Sequence, residues 1–126
     1  MVDASALVEV LLRSATGVSV ERALKGVELA APDLINVEVV HAFRRLVAAG
    51  AVAPERGRRA VARLADAPIE RVTTTRLALA MWELRHNCTG YDAAYLALAL
   101  ALDRPLVTTD RRLSGAPDPG IEIVAL

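Results

Sequence analysis

Four acidic residues stand where their side chains could share one ligand. Asp3 follows the first two residues, Glu38 lies near the start of an apolar-periodic segment, and Asp92 and Asp110 lie within the stretch 89–113. No Lys or Arg is expected among them, and carboxylates gathered in this way repel one another unless a cation binds. Oxygen ligands select hard ions, so the sequence predicts a site for Mg²⁺ or Mn²⁺.

Two hydroxyl residues accompany these acids. Thr108 lies two residues before Asp110 on a short apolar run, so strand alternation directs both side chains to one side. Ser5 lies two residues after Asp3. Zinc is not expected, because the chain has one cysteine and its two histidines stand alone in helices.

The elements that must position these side chains form an α/β pattern. Apolar runs predict strands at 27–31, 69–72, 106–109 and 121–126, with a very short first strand at 1–2. Helical spacing and stop signals predict helices at 6–13, 18–26, 34–49, 54–64, 74–86 and 93–102, and a loop at 114–120. Alternating strands and helices are typical of a parallel sheet covered on both faces, whose ligands bind beyond the carboxyl ends of the strands.

The helix at 93–102 carries no charge, so we expect it to be apolar all round and buried. Asp92 and Asp110 flank the unit formed by this helix and the strand that follows it. The sequence therefore predicts two carboxylates inside a hydrophobic layer, a costly arrangement unless they are paired or bind a metal.

Composition bounds the remaining possibilities. The chain has 126 residues, 54% of them hydrophobic, which predicts one domain spanning 1–126. Basic and acidic residues number 15 each, so binding of nucleic acid through net charge is not expected. The chain has a single cysteine and no signal-peptide pattern. Its longest apolar run is well short of the ~20 residues that cross a bilayer. These features predict a cytoplasmic protein without membrane contact. RNA contacts would need a local patch, for which the candidates are Arg56, Arg59, Arg63, Arg111 and Arg112.

Four segments resemble the motifs of PIN-domain ribonucleases, in particular the VapC-type toxins of toxin–antitoxin pairs. They read VDASALV at 2–8, NVEVVHAF at 36–43, TGYDAAYLALA at 89–99 and LVTTDRRL at 106–113. The resemblance covers essentially the whole chain. It implies a single PIN-like domain, with a parallel β-sheet of about four to five strands and helices on both faces.

The resemblance also assigns roles to the acids. It implies that Asp3, Glu38, Asp92 and Asp110 are the catalytic, metal-holding residues, supported by Ser5 and Thr108. The implied reaction is hydrolysis of RNA phosphodiester bonds by water that Mg²⁺, or Mn²⁺, activates. Tyr91 and Tyr95 match positions where the family often has an aromatic residue. Arg112 stands where some relatives carry a further acid, which leaves the choice between one and two metal ions open.

The partners implied by the resemblance are an RNA substrate, a cognate antitoxin protein and a second copy of the chain. The predicted helices 6–13 and 34–49 flank Asp3 and Glu38, so they are the candidate walls of a groove for an amphipathic antitoxin helix.

Three other classes compete with a nuclease. A phosphoacceptor receiver domain needs a lysine on a late strand, but the only lysine is Lys25. A haloacid-dehalogenase-type phosphatase needs a second aspartate two residues after the first, where this chain has Ser5. A PIN-type module that binds RNA or protein without activity is the remaining alternative, and the presence of all four acids argues against it.

Overall fold

The computed structural model describes residues 1–114 and 120–126. Its helices are α1 (Ala4–Leu12), α2 (Ala15–Ala23), α3 (Ile35–Ala48), α4 (Pro54–Ala65), α5 (Ala78–Glu83), α6 (Gly90–Leu102) and α7 (Arg111–Ser114), with a 3₁₀ helix at Thr74–Leu77. Its strands are β1 (Leu29–Pro32), β2 (Ile69–Val72), β3 (Leu106–Thr108) and β4 (Ile123–Ala125). The predicted loop at 114–120 falls mainly on residues outside the described ranges, and Ser114 ends α7.

All strand pairings run parallel, and the N-terminal segment joins two strand pairs into one array. β1 pairs with β2, and β3 pairs with β4. Val2 forms a parallel bridge with Val107 of β3, and its N–H donates to the carbonyl of Ala30 in β1 at 3.3 Å. The predicted first strand is thus a single bridge at Val2. The predicted α/β class with a parallel sheet is confirmed.

The order of this array is β4, β3, residues 1–3, β1, β2. The chain adds β1 and β2 on one side of residues 1–3 and then returns to add β3 and β4 on the other, so the strand order reverses between residues 1–3 and β3. Right-handed crossovers place the helices that precede β2 and those that follow it on opposite faces. Accordingly, α1 packs on α2, α3 and α4, whereas α6 packs on α5 and the 3₁₀ helix.

The core lies between these helices and the strands. Its largest fully buried side chains include Phe43 and Ile35 of α3, Leu96 and Leu98 of α6, and Leu106 of β3. Residues 93–99 of α6 are all buried, as predicted, but Leu100 and Leu102 are 40% and 36% exposed. A helix of 13 residues is about 20 Å long, while a three-residue strand covers only about 10 Å, so the strand cannot cover the whole helix.

Several element boundaries differ from the predictions because side-chain caps decide them. Asp3 caps α1, which therefore begins at Ala4, and Ser14 caps α2, which begins three residues earlier than predicted. The single helix predicted at 74–86 is a 3₁₀ turn followed by the short α5, with Thr73 as the cap. Helix α7 was not predicted, since four residues carry no periodic signal. No helix among the described residues is long and apolar enough to cross a membrane.

Candidate functional site

Asp3 lies at the point where the strand order reverses, and three groups donate hydrogen bonds to its carboxylate, the Ser5 hydroxyl being shared between both oxygens. Its Oδ1 accepts from the N–H of Ala6 at 2.9 Å and from Oγ of Ser5 at 2.8 Å. Its Oδ2 accepts from Oγ1 of Thr108 at 2.6 Å and from Oγ of Ser5 at 2.9 Å. The side chain is 5% exposed, and burial raises the pKa of this carboxyl although the hydrogen bonds oppose the shift. Asp3 thus serves both as a helix cap and as a wall of the site.

The two predicted hydroxyls connect α1 to the end of β3. Oγ of Ser5 accepts from the N–H of Thr109 at 3.0 Å, and Oγ1 of Thr108 accepts from the N–H of Asp110 at 2.9 Å. Ser5 and Thr108 therefore fix Asp3 and the β3 terminus relative to each other.

Glu38, in the first turn of α3, receives a hydrogen bond from a buried phenol. Oη of Tyr95 donates to Oε2 of Glu38 at 2.5 Å, and Tyr95 is 3% exposed. Burial raises the pKa of Glu38, and repulsion from Asp3 and Asp92 adds to that effect, while the bond from Tyr95 opposes it. Burial and the bond to Glu38 raise the pKa of Tyr95.

The sequence analysis assigned Tyr95 no role beyond a position where the family often has an aromatic residue. It lies three residues after Asp92 on α6, so both side chains share one helix face. That spacing was the available signal, but the partner in α3 is 57 residues away and only the tertiary structure identifies it.

Asp92 lies at the start of α6, where Thr89 caps the helix. Oγ1 of Thr89 accepts from the N–H of Asp92 at 3.2 Å and donates to its Oδ2 at 2.8 Å. The carboxylate is partly exposed. The prediction that Asp92 and Asp110 emerge inside a hydrophobic layer is wrong, because both side chains are partly exposed. Asp92 precedes the buried part of α6, and Asp110 follows the buried strand β3. Asp3 is the buried acid.

Asp110 follows β3 and is paired with Arg112. Nη2 of Arg112 lies 2.8 Å from Oδ2 of Asp110 and its Nε lies 3.3 Å from Oδ1, which also accepts from the backbone N–H of Arg112 at 2.8 Å. The guanidinium holds the pKa of Asp110 below its ordinary value. The expectation of an acidic site without Lys or Arg is therefore wrong: Arg112 is part of it.

All four predicted acids line a single cavity of about 320 Å³. Ser5, Tyr95 and Arg112 contribute to the same walls. The structure thus brings Asp3, Glu38, Asp92 and Asp110 together at one edge of the sheet, as the sequence predicted.

The four carboxylates line one cavity, but they are not arranged around a shared metal-binding position. Within residues 1–114 and 120–126, no three acidic, His or Cys side chains lie close enough to hold a metal ion as they stand. Each acid instead has its own partner: hydroxyls for Asp3, Tyr95 for Glu38, Thr89 for Asp92 and Arg112 for Asp110.

The donor set nevertheless fits a hard divalent ion. Its ligand atoms are all oxygen, the type that Mg²⁺ and Mn²⁺ prefer. None of the ion pairs in the described part of the chain involves Asp3, Glu38 or Asp92, so a cation would relieve their mutual repulsion.

Two of the arginines predicted to contact RNA also bond the backbone of α1. Nη2 of Arg56 donates to the carbonyl of Leu12 at 2.8 Å, and Nη2 of Arg63 donates to that of Leu11. These groups cap the C-terminus of α1, about 13 Å from Asp3 at its other end. For all five candidate arginines, contact with RNA stays a prediction.

A larger groove adjoins the acidic cavity, between α1 and α3. Its volume is about 810 Å³, and both helices contribute mainly aliphatic side chains to it. The lining includes Val8 and Leu12 of α1 and Val37, Ala42, Leu46 and Ala49 of α3, with Glu9, His41 and Arg45 as polar members. Ala4, Ser5, Glu38 and Tyr91 line both the groove and the acidic cavity. We call this surface the α1/α3 groove.

Comparison with known proteins covers nearly the whole chain. Residues 1–118 match the family model described as PIN domain. The chain is 42% identical over 125 residues to Ribonuclease VapC1 of Mycobacterium tuberculosis (strain CDC 1551 / Oshkosh), covering 98% of this chain and 94% of the relative. It is 35% identical over 127 residues to Ribonuclease VapC12 of the same organism, with 99% and 98% covered. It is 34% identical over 117 residues to Ribonuclease VapC3, with 92% and 85% covered.

Proposed function

The chain belongs to the PIN-domain family, and on that premise we propose that it is a VapC-type toxin: a cytoplasmic endoribonuclease that hydrolyses RNA phosphodiester bonds with a divalent metal ion, Mg²⁺ or Mn²⁺. The observation that carries the proposal is the single cavity lined by Asp3, Glu38, Asp92 and Asp110 where the strand order reverses. Open α/β sheets bind their ligands at this position. The match to proteins named ribonucleases supplies the reaction class.

Asp3, Glu38 and Asp92 are the residues that would hold the ion, since the oxygens of Asp110 are engaged by Arg112. When bound, the ion would supply Lewis acidity to the phosphate and lower the pKa of a water molecule. The chain contributes the positioning: Ser5 and Thr108 fix Asp3, and Tyr95 fixes Glu38.

Ser5 is a positioning residue in this proposal and not a nucleophile. A serine nucleophile needs an adjacent base that takes its proton. Oγ of Ser5 donates to the Asp3 carboxylate and accepts from a backbone N–H, and the fixed carboxylate is itself needed for the metal. Hydrolysis by water requires no covalent intermediate.

The test is a cleavage assay on end-labelled RNAs with Mg²⁺, Mn²⁺ or EDTA. We expect cleavage that requires the divalent ion, and a loss of ~10²-fold or more in Asp92→Asn, because several kcal/mol of charge stabilisation disappear at ~1.4 kcal/mol per tenfold. Asp103→Asn is the matched control: it removes the same charge at the far end of α6, where Asn tolerates the left-handed backbone (φ 49°). Cleavage that persists in EDTA would contradict metal dependence, and binding without cleavage would favour the inactive module.

We further propose that the antitoxin docks an amphipathic helix in the α1/α3 groove. The groove is largely aliphatic, Val37 on its wall is 71% exposed, and it opens onto the acidic cavity, where a basic antitoxin side chain could meet the carboxylates. In titrations with the antitoxin encoded beside this chain, Val37→Lys should weaken binding at least tenfold, about 1.4 kcal/mol. Val27→Lys, at a position 54% exposed outside the groove, should leave it unchanged. Equal affinity of both variants would place the antitoxin elsewhere.

A homodimer completes the proposal. Leu79 and Trp82, three residues apart on α5, are 75% and 61% exposed, a pair of large apolar side chains that a second copy could cover. Light scattering at tens of micromolar should give the mass of two chains, and Trp82→Asp should lower it towards one. A monomeric parent protein would remove this part of the proposal.

A further inference from the structure

Among the four acids of the cavity, Asp110 alone forms an ion pair within the described ranges. Both of its oxygens are engaged by Arg112: Oδ2 by Nη2 at 2.8 Å, and Oδ1 by Nε and by the backbone N–H. Asp110 lies between β3 and α7, and Arg112 lies in α7, two positions later. The pair is therefore local and needs no distant element to form. Guanidinium–carboxylate pairs with two such contacts are the strong kind.

The remaining negative charge is concentrated on Asp3, Glu38 and Asp92. These three carboxylates are close enough for Asp3 and Asp92 to raise the pKa of Glu38. One divalent cation among them would offset most of their charge. A second one would have to displace Arg112 from Asp110, which breaks the ion pair, or lie beside the guanidinium, which like charges disfavour.

Arg112 also faces outward. Its side chain is 88% exposed while that of Asp110 is 26% exposed, and both residues line the cavity. A guanidinium held at a cavity mouth by one carboxylate keeps N–H groups for another anion, and the planar fork suits phosphate.

We propose that Arg112 takes the place of a second metal ion: the cavity binds one divalent cation per chain, held by Asp3, Glu38 and Asp92, and the Arg112 guanidinium is the second positive charge presented to the RNA phosphate. Asp110 then acts through Arg112 and not as a metal ligand. The inference rests on the proposed function, because it assigns the stoichiometry of the same site.

The test counts bound metal, which does not depend on cleavage. The full chain, stripped of metal, is titrated with Mn²⁺ by calorimetry and checked by equilibrium dialysis. We expect one Mn²⁺ per chain for the parent and two for Arg112→Asp, which frees Asp110 and adds a carboxylate. Arg112→Lys should keep one. Arg59→Asp makes the same charge change on exposed α4 and should also keep one.

A second pair of variants tests the ligand assignment. Asp110→Asn should still bind one Mn²⁺ with a Kd within about threefold of the parent, while Asp92→Asn should weaken it at least tenfold, about 1.4 kcal/mol. Far-UV circular dichroism confirms that each variant is folded.

The outcomes separate the two proposals. Two Mn²⁺ on the parent chain, one on Arg112→Asp, or a loss of binding in Asp110→Asn equal to that in Asp92→Asn would overturn the role of Arg112 and leave a metal-dependent nuclease intact. A parent chain that binds no Mn²⁺ would overturn both.

Discussion

Replacement of Asp3 separates its structural role from its chemical role. Asp3→Asn keeps an oxygen that can accept from the N–H of Ala6 and an amide that can hydrogen-bond to the hydroxyls of Ser5 and Thr108, but it removes the charge. Asp3→Ala removes the charge and every hydrogen bond of the side chain. The two variants therefore share the loss of a metal ligand and differ in the loss of the cap.

The cost of Asp3→Ala follows from its partners. Loss of the side-chain cap of α1 costs about 1 kcal/mol. The hydroxyl of Thr108, 0% exposed, loses its acceptor, which adds about 1–3 kcal/mol for a buried unsatisfied group. We expect the free energy of unfolding to fall by about 2–4 kcal/mol, or roughly 6–20 °C in Tm for a domain of this size.

Asp3→Asn should behave differently in the absence of metal. Burial raises the pKa of Asp3 above its ordinary value of 3.8, so the folded protein binds this proton more tightly than the unfolded chain does. Stability therefore falls as pH rises from 3.8 through the raised pKa, and the deficit stays at neutral pH. The amide removes that deficit, so Asp3→Asn should be at least as stable as the parent at pH 7 in EDTA, with a smaller decline between acidic and neutral pH.

The assay is thermal and urea unfolding followed by circular dichroism in EDTA at several pH values, with the cleavage assay run in parallel. Both variants should lose ~10²-fold or more in cleavage rate, since each removes a carboxylate that serves the metal. Equal destabilisation of Asp3→Asn and Asp3→Ala would refute the argument that hydrogen bonds and not charge stabilise the α1 cap. A parental cleavage rate in Asp3→Asn would remove Asp3 from the catalytic set.

Three further predictions concern packing and support of the site. Tyr95→Phe removes the hydroxyl bonded to Glu38, so it should lower the free energy of unfolding, measured by urea titration, by about 1 kcal/mol. It should also reduce the cleavage rate in the RNA assay, and an unchanged rate would show that Glu38 needs no such support. Arg63→Ala removes a donor to the C-terminus of α1 and should cost about 1 kcal/mol in urea unfolding without lowering the rate per folded molecule, while Arg59→Ala should stay within about 0.5 kcal/mol of the parent. Gly17→Ala should destabilise by about 1–3 kcal/mol or more, because its Cβ would lie 2.1 Å from a backbone oxygen of α1; a Tm equal to that of the parent would show that α2 can shift.

The sequence alone was sufficient for features that depend on neighbours along the chain. Apolar periodicity located the helices that became α1 and α3. Pro54 marked the start of α4, and the length and alanine content of the run at 93–102 indicated α6. The strand predicted at 69–72 has the bounds of β2. Alternation of strands and helices predicted the parallel sheet, and that topology sends strand ends and helix N-termini to one edge. Asp3, Glu38, Asp92 and Asp110 were therefore brought together in the prediction as they are in the structure.

Only the tertiary structure decided how those acids are held. The hydroxyl of Tyr95 lies 57 positions from Glu38 and that of Thr108 lies 105 from Asp3, separations over which no local pattern carries information. The Asp110–Arg112 pair is local, yet it depends on the turn into α7. A helix of four residues is too short to be predicted from the sequence pattern. Periodicity and composition set which elements form and which edge carries charge, because these follow from burial along each element. The partner of each carboxylate follows from distances between elements, and these exist only once the chain is packed.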